Sequence, residues 1–107
     1  MQYLIVFCTC PDDTTAYALA KQLVENKLAA CVNLMPNLQS IYCWKGQIET
    51  AKEVQLIIKT TSDAYKKLEA FLQNAHPYEC PEIVALPITQ GLPGYLQWIN
   101  ESLVNTH

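Results

Sequence analysis

The chain contains no arginine: its seven basic residues are all lysines, and ten acidic residues give a formal net charge of −3. Charged residues make up 16% of the sequence, whereas soluble domains average roughly a quarter. Nucleic-acid-binding proteins need clustered lysine and arginine for phosphates and arginine for base edges. The composition therefore argues against a nucleic-acid partner, and the shortage of charge predicts that part of the surface is buried in an oligomer.

Long apolar segments are also absent, since no run approaches the ~20 residues of a membrane-spanning helix. The apolar start over residues 1–10 lacks the basic residues of a secretory signal. The five cysteines are odd in number and form no Cys-x-x-Cys pair, which argues against a disulfide framework. We therefore expect a protein without membrane partners, located in the cytoplasm, with reduced thiols.

Catalytic motifs are missing as well. The sequence has no Ser-His-Asp ordering, no glycine-rich phosphate loop and no His-Glu-x-x-His zinc motif. His76 and Cys80 superficially resemble a base and a nucleophile, but two prolines separate them and the pattern does not define their geometry. We predict that the protein is not an enzyme.

Hydrophobic periodicity predicts one domain spanning residues 1–107, a length typical of a single domain. Strands are predicted at 3–8, 29–44, 47–60 and 83–88, with helical apolar spacing over 16–24, 64–75 and 95–103. The order β-α-β-β-α-β plus a C-terminal helix is typical of the α+β ferredoxin-like fold, in which helices cover one face of an antiparallel sheet.

The central hairpin is unusually long. Its arms of about 14 residues exceed the usual strand of ~5–6, so the core helices cannot cover them. A two-residue turn at Lys45 and Gly46 places Trp44 opposite Gln47. A ribbon exposing Tyr42 and Trp44 would aggregate unless it were buried. We therefore predict a closed homo-oligomer with Tyr42 and Trp44 in its interface.

Residues 76–83 form the most informative loop, reading His-Pro-Tyr-Glu-Cys-Pro-Glu-Ile between a predicted helix and a predicted strand. Pro77 and Pro81 fix their own φ angles and restrict the residues before them. Rigid loops between regular elements are where binding sites tend to be built. The alternative is a connector whose prolines only end the helix.

Soft metal ligands are available on the first predicted strand and at the start of the proline-rich loop. Cys8 and Cys10 alternate on the first strand, so both thiols face the same side, and thiolates favour Cu(I). His76 offers an imidazole that ligates metals or transfers protons. The alternatives are that Cys8 is a core residue and that His76 caps the end of its helix.

A second set of side chains predicts a ligand cleft. Lys59 ends an apolar strand, where its ammonium pairs with a carboxylate or binds an anion. Tyr78, Glu79 and Glu82 belong to the proline-rich loop and are predicted to surround the same cleft. Exposed ion pairing is the alternative explanation of these charges.

Several blocks of the sequence resemble the CutA family of divalent-cation tolerance proteins over residues 3–104. They are Ala-Ala-Cys-Val-Asn at 29–33, Tyr-Cys-Trp-Lys-Gly at 42–46, Ile-Lys-Thr-Thr at 58–61, the loop at 76–83, Leu-Pro-Ile at 86–88 and Tyr-Leu-Gln-Trp-Ile at 95–99. The resemblance implies a ferredoxin-like homotrimer joined through its hairpins, cytoplasmic in bacteria and similar in architecture to PII-type signalling trimers.

The resemblance also implies a copper site. The family's site uses a cysteine on the first strand and two consecutive histidines before Pro-Tyr. Cys8 matches the cysteine and His76 the second histidine, while Ala75 stands in place of the first. The leading hypothesis is a non-enzymatic homotrimer for copper and divalent-cation tolerance. The alternatives are a PII-like regulator that binds a small anion between subunits, and a trimeric interaction scaffold.

Overall fold

The structure, a computed structural model, describes residues 1–104; the last three residues of the predicted domain lie outside the described part. Within residues 1–104 the secondary structure follows the predicted order and closes with the C-terminal helix. The elements are β1 (Tyr3–Cys10), α1 (Asp13–Glu25), β2 (Cys31–Trp44), β3 (Gln47–Thr61), α2 (Ser62–Ala75), β4 (Ile83–Pro87) and α3 (Pro93–Leu103).

The strands form an antiparallel sheet in the order β2-β3-β1-β4. Each β-α-β crossover therefore skips one strand, which is the split arrangement of the ferredoxin-like fold. The predicted fold class is confirmed. β1 and β3 occupy the centre of the sheet, so residues 4–8 of β1 pair with strands on both sides, whereas Thr9 and Cys10 pair with β3 alone.

Strand alternation divides the sheet into a covered and an open face. Leu4, Val6, Cys8 and Cys10 of β1 are buried on the face covered by the helices. They pack in one cluster with residues of β3 and of both long helices, namely Leu56, Ile58, Leu19, Leu23, Leu68 and Leu72. Even-numbered residues of β1 therefore build the core, and the alternation places odd-numbered residues on the open face.

β1 is two residues longer than predicted. Thr9 and Cys10 continue the ladder opposite Gln55 and Val54 of β3. The prediction ended the strand at Cys8 because Thr9 interrupts the apolar run. Pairing with β3 and burial of both residues extend it, which brings Cys10 into the covered face beside Cys8.

The central hairpin has the predicted turn and register. Lys45 and Gly46 have φ angles of 51° and 77°, a left-handed pair that suits a two-residue hairpin loop. Trp44 lies opposite Gln47, as predicted. The register shifts between Met35 and Leu38, on either side of Pro36, which has no N–H to donate to the strand ladder.

Beyond the end of β1 the hairpin continues as a two-stranded ribbon, because residues 47–53 of β3 pair with β2 alone. Its large apolar side chains are exposed: Ile41 is 70% exposed, Trp44 60% and Ile48 73%. The ribbon contributes to the elongated shape of 49 × 26 × 22 Å.

The helix ends explain where the loops begin. The Asp12 carboxylate accepts a hydrogen bond of 2.7 Å from the Thr15 N–H and so caps the start of α1. α2 ends at Ala75, and the extended backbone of His76 turns the chain away from the helix axis. The helices in the described part of the chain are all too short or too polar to cross a membrane.

Candidate metal centre

The structure brings two thiols and an imidazole together at the end of β1. Cys8 and Cys10 project from the covered face of the strand, and His76 reaches them from the end of α2. One ligand atom from each of the three residues lies within 4.8 Å of the other two. Both cysteines are fully buried and His76 is 6% exposed, so the cluster is largely shielded from water.

Both ring nitrogens of His76 make hydrogen bonds to the main chain. The backbone N–H of Tyr78 donates to Nδ1 over 3.0 Å, and a backbone N–H can only donate. Nδ1 is therefore the acceptor of a neutral ring, and Nε2 carries the proton. Nε2 donates that proton to the carbonyl oxygen of Thr9 over 2.8 Å, which ties the loop after α2 to the residue between the two thiols.

Tyr78 fixes the same loop from its other side. Its ring packs against the His76 imidazole with centroids 4.8 Å apart. Its hydroxyl donates to Glu53 Oε2 over 2.7 Å. Burial, and then the hydrogen bond to Glu53, raise the pKa of Tyr78 well above that of a free tyrosine. The phenol therefore stays protonated and acts as a hydrogen-bond donor in this position.

Glu53 is a member of the site that sequence reasoning missed. It is 9% exposed, although acidic residues are seldom buried without a partner. The sequence gives one indication of this role, since Glu53 directly precedes the apolar half of its strand, which begins at Val54. Its partner, Tyr78, is 25 residues away, and periodicity does not reveal such a contact.

The two thiols influence each other's protonation. A hydrogen bond with Cys10, then burial, raises the pKa of Cys8, and the negative charges of Cys10 and Glu82 add to the effect. The hydrogen bond from Cys8 lowers the pKa of Cys10, while burial and the carboxylates of Asp12 and Glu53 oppose that change. A thiolate on one of the two sulfurs is therefore stabilised by the hydrogen bond from the other.

A shallow cavity of about 190 Å³ opens beside this cluster. Asp12, Asp13 and Glu53 line it, together with Lys52 and the kinked Pro36–Asn37 segment of β2. Three carboxylates against one ammonium favour cations near the mouth. Pro11, Asp12 and Asp13 of this wall directly follow Cys10 in the chain, while the thiols themselves are buried and do not line the cavity.

The residues of the predicted ligand cleft do not converge within one chain. Glu79 and Glu82 are exposed on the loop, while Tyr78 turns inward to Glu53. Lys59 lies opposite Ile5, on the open face, and its ammonium donates to the Asn33 side-chain oxygen. Cys8 lies on the covered face, opposite to the face that carries Lys59.

A ferredoxin-like domain with a buried cluster of thiols and imidazole defines a small α+β protein equipped with soft metal ligands. The family model described as "CutA1 divalent ion tolerance protein" matches residues 4–102. The chain belongs to this family, which confirms the resemblance drawn from its sequence blocks.

Individual proteins of this family are similar to the chain over most of its length. The chain is 50% identical over 95 residues to a CutA homologue of Xenopus laevis, covering 89% of this chain and 63% of that protein. It is 47% identical over 98 residues to the divalent-cation tolerance protein CutA of Thermus thermophilus, covering 92% and 95%. The crystal structure of CutA from Xylella fastidiosa superimposes with a TM-score of 0.95 at 40% identity, covering 97% and 100%.

The matched lengths differ between these relatives. The chain spans 63% of the Xenopus laevis protein and 54% of the mouse CutA protein. It therefore corresponds to less than two thirds of these vertebrate relatives, whereas it spans nearly all of the Thermus thermophilus protein.

Proposed function

We propose that the chain acts as a homotrimer that binds a metal ion, copper foremost, and so contributes to divalent-cation tolerance without catalysing a reaction. The observation that carries this proposal is the convergence of Cys8, Cys10 and His76 within 4.8 Å in a buried position. Sulfur and imidazole ligands suit copper better than they suit the hard cations Mg²⁺ and Ca²⁺. The family's description as a divalent ion tolerance protein supports the same function.

Two exposed apolar surfaces support self-association, as the proposed trimer requires. The ribbon of the hairpin exposes Trp44, Tyr42 and Ile41. The open face of the sheet adds further exposed apolar side chains on β4, Val84 and Leu86. Exposed apolar area of this extent is typical of surfaces that bind other proteins, and symmetric self-association is the commonest way in which soluble chains bury it.

A PII-like regulator remains the second proposal because of Lys59. It is partly buried on the open face, and its described partner is the neutral side chain of Asn33. Across residues 1–104, no carboxylate lies within salt-bridge distance of its ammonium. A cation without a counter-charge on a face where subunits would meet is suited to binding a small anion.

Three measurements on the purified, reduced protein test both proposals. They are a titration with copper, a titration with an anion, and light scattering to determine the number of subunits. The metal-binding proposal expects a stable trimer with one copper ion per chain, and loss of copper binding in Cys8→Ala. The regulator proposal expects Lys59→Ala to weaken binding of an anion, such as a nucleoside phosphate, without changing copper uptake. Copper affinity unchanged by Cys8→Ala would contradict the metal-binding proposal.

A further inference from the structure

The cluster at the end of β1 offers fewer free ligands than its composition implies. A neutral imidazole has one nitrogen lone pair available for a metal. In His76 that lone pair, on Nδ1, accepts the Tyr78 N–H. The other nitrogen donates to the Thr9 carbonyl. Ligation by His76 would therefore break a partly buried hydrogen bond and leave the Tyr78 N–H without its partner.

Metal binding by the two sulfurs would break no comparable hydrogen bond. The Cys8 thiol approaches the Thr9 carbonyl at 4.0 Å, the limit of a sulfur hydrogen bond. The two thiols are also adjacent on one face of one strand, so their separation is set by the strand itself.

We propose that the metal of this cluster is a soft monovalent ion, Cu(I) in its chemistry, held between the sulfurs of Cys8 and Cys10. His76 is a positioning residue that holds the loop against the thiols and does not ligate. The inference rests on the proposed metal-binding function and names the ion and ligands of that site. It assigns a ligand role to Cys10 and removes one from His76.

The distances agree with an ion between the two sulfurs. Thiolate sulfurs lie ~2.3 Å from a bound Zn²⁺, and using that bond length as a guide, two sulfurs in line with one ion are ~4.6 Å apart. The Cys8 and Cys10 sulfurs are at most 4.8 Å apart, so this in-line spacing lies inside the upper limit of their separation. Rotation of either side chain about its χ1 bond supplies the remaining adjustment, without movement of the strand.

The number of donors also favours a monovalent ion. Structural Zn²⁺ takes four ligands, and Mg²⁺ and Ca²⁺ take six or more oxygens. The buried cluster provides two free sulfurs and excludes most water. A soft ion with a filled d shell is satisfied by two sulfurs in line, and thiolates select Cu(I).

The loading step balances without a redox partner. Each thiol releases its proton to solvent as its sulfur–copper bond forms, and the copper enters and remains as Cu(I). The acidic cavity lined by Asp12, Asp13 and Glu53 lies next to Cys10 and would raise the local concentration of the cation before it binds.

An anaerobic Cu(I) titration against a chromogenic Cu(I) chelator tests the inference, using the full chain in reduced form. We expect Cys8→Ala and Cys10→Ala to weaken Cu(I) binding by more than ~100-fold, beyond the ~10–100-fold typical when a supporting residue is lost. His76→Gln should weaken it by no more than about tenfold. Cys80→Ala removes an exposed thiol and is the matched control, with unchanged affinity.

X-ray absorption at the copper edge of the wild-type protein gives a readout that does not depend on any variant folding. We expect two sulfur ligands and no imidazole scattering. Imidazole scattering, or a Cys10→Ala protein that retains full affinity, would overturn the inference and leave metal binding by Cys8 and His76 in place. Failure of the wild-type protein to bind copper in either oxidation state would instead overturn the proposed function itself.

Discussion

Trp44 provides a quantitative test of assembly through the hairpin. Aromatic side chains bury ~150–250 Å² each, so full burial of a Trp44 side chain that is 60% exposed in the single chain removes ~100 Å² from water. At ~25 cal/mol per Å² this contributes ~2.5 kcal/mol per subunit. Trp44→Ala in a trimer with three such contacts therefore loses ~7.5 kcal/mol.

The loss translates into a concentration that can be measured. A change of ~7.5 kcal/mol raises the trimer dissociation constant by ~10⁵-fold. That constant scales with the square of the subunit concentration, so the midpoint of dissociation should rise by ~300-fold. Sedimentation velocity over a dilution series measures this midpoint directly.

Tyr17→Ala is the control for this experiment. Tyr17 is 62% exposed, similar to Trp44, but it belongs to α1 and not to the exposed ribbon of the hairpin, so we expect no change in the midpoint. An unchanged midpoint in Trp44→Ala, or an equal shift in both variants, would refute assembly through the hairpin. A wild-type chain that sediments as a monomer at every concentration would refute the trimer.

The remaining predictions concern the loop and the helix cap. His76→Ala removes the imidazole partner of the Thr9 carbonyl and of the Tyr78 N–H, at ~1–3 kcal/mol each, so urea denaturation should show a loss of ~2–6 kcal/mol; a loss below ~1 kcal/mol would contradict the hydrogen bonds described. Tyr78→Phe removes the donor to buried Glu53 and should cost ~1.5–3 kcal/mol, measured in the same way, and wild-type stability would contradict this role. The hydrogen bond from α1 lowers the pKa of Asp12, so its stabilisation is present above the unfolded pKa of ~3.9 and is lost as pH falls through the lower folded pKa. Asp12→Asn keeps a capping oxygen without that titration, and an acid-denaturation profile identical to wild type would contradict the prediction.

Much of the fold is predictable from local pattern. The register of the hairpin follows from the length of its turn, because a two-residue loop at Lys45 and Gly46 leaves one way to pair the arms. The common face of Cys8 and Cys10 follows from the alternation of side chains along a strand. The element order then fixes the sheet, since short connections leave few topologies.

The internal geometry of the site depends on contacts that pattern does not record. His76 forms one hydrogen bond with Thr9, which is 67 residues away in the sequence, and another with Tyr78, which is two residues away. The resemblance placed His76 near Cys8, but the protonation of its ring depends on the Tyr78 N–H. These details decide whether His76 is able to ligate a metal.

The position of Lys59, in contrast, is predictable from the alternation of side chains along its strand. Ile58 and Thr60 are buried on the covered face, so alternation puts Lys59 on the open one. The grouping of Lys59 with Tyr78, Glu79 and Glu82 stays a prediction about the assembly, because one chain does not bring them together.

Native mass spectrometry of the reduced protein loaded with Cu(I) tests the central claim, a homotrimer with a metal site in each chain. We predict a mass of three 12.1 kDa chains carrying three copper ions, and the same trimer without copper in Cys8→Ala. A wild-type mass of one chain, or a trimer that carries no copper or carries it equally well in the variant, would contradict the account.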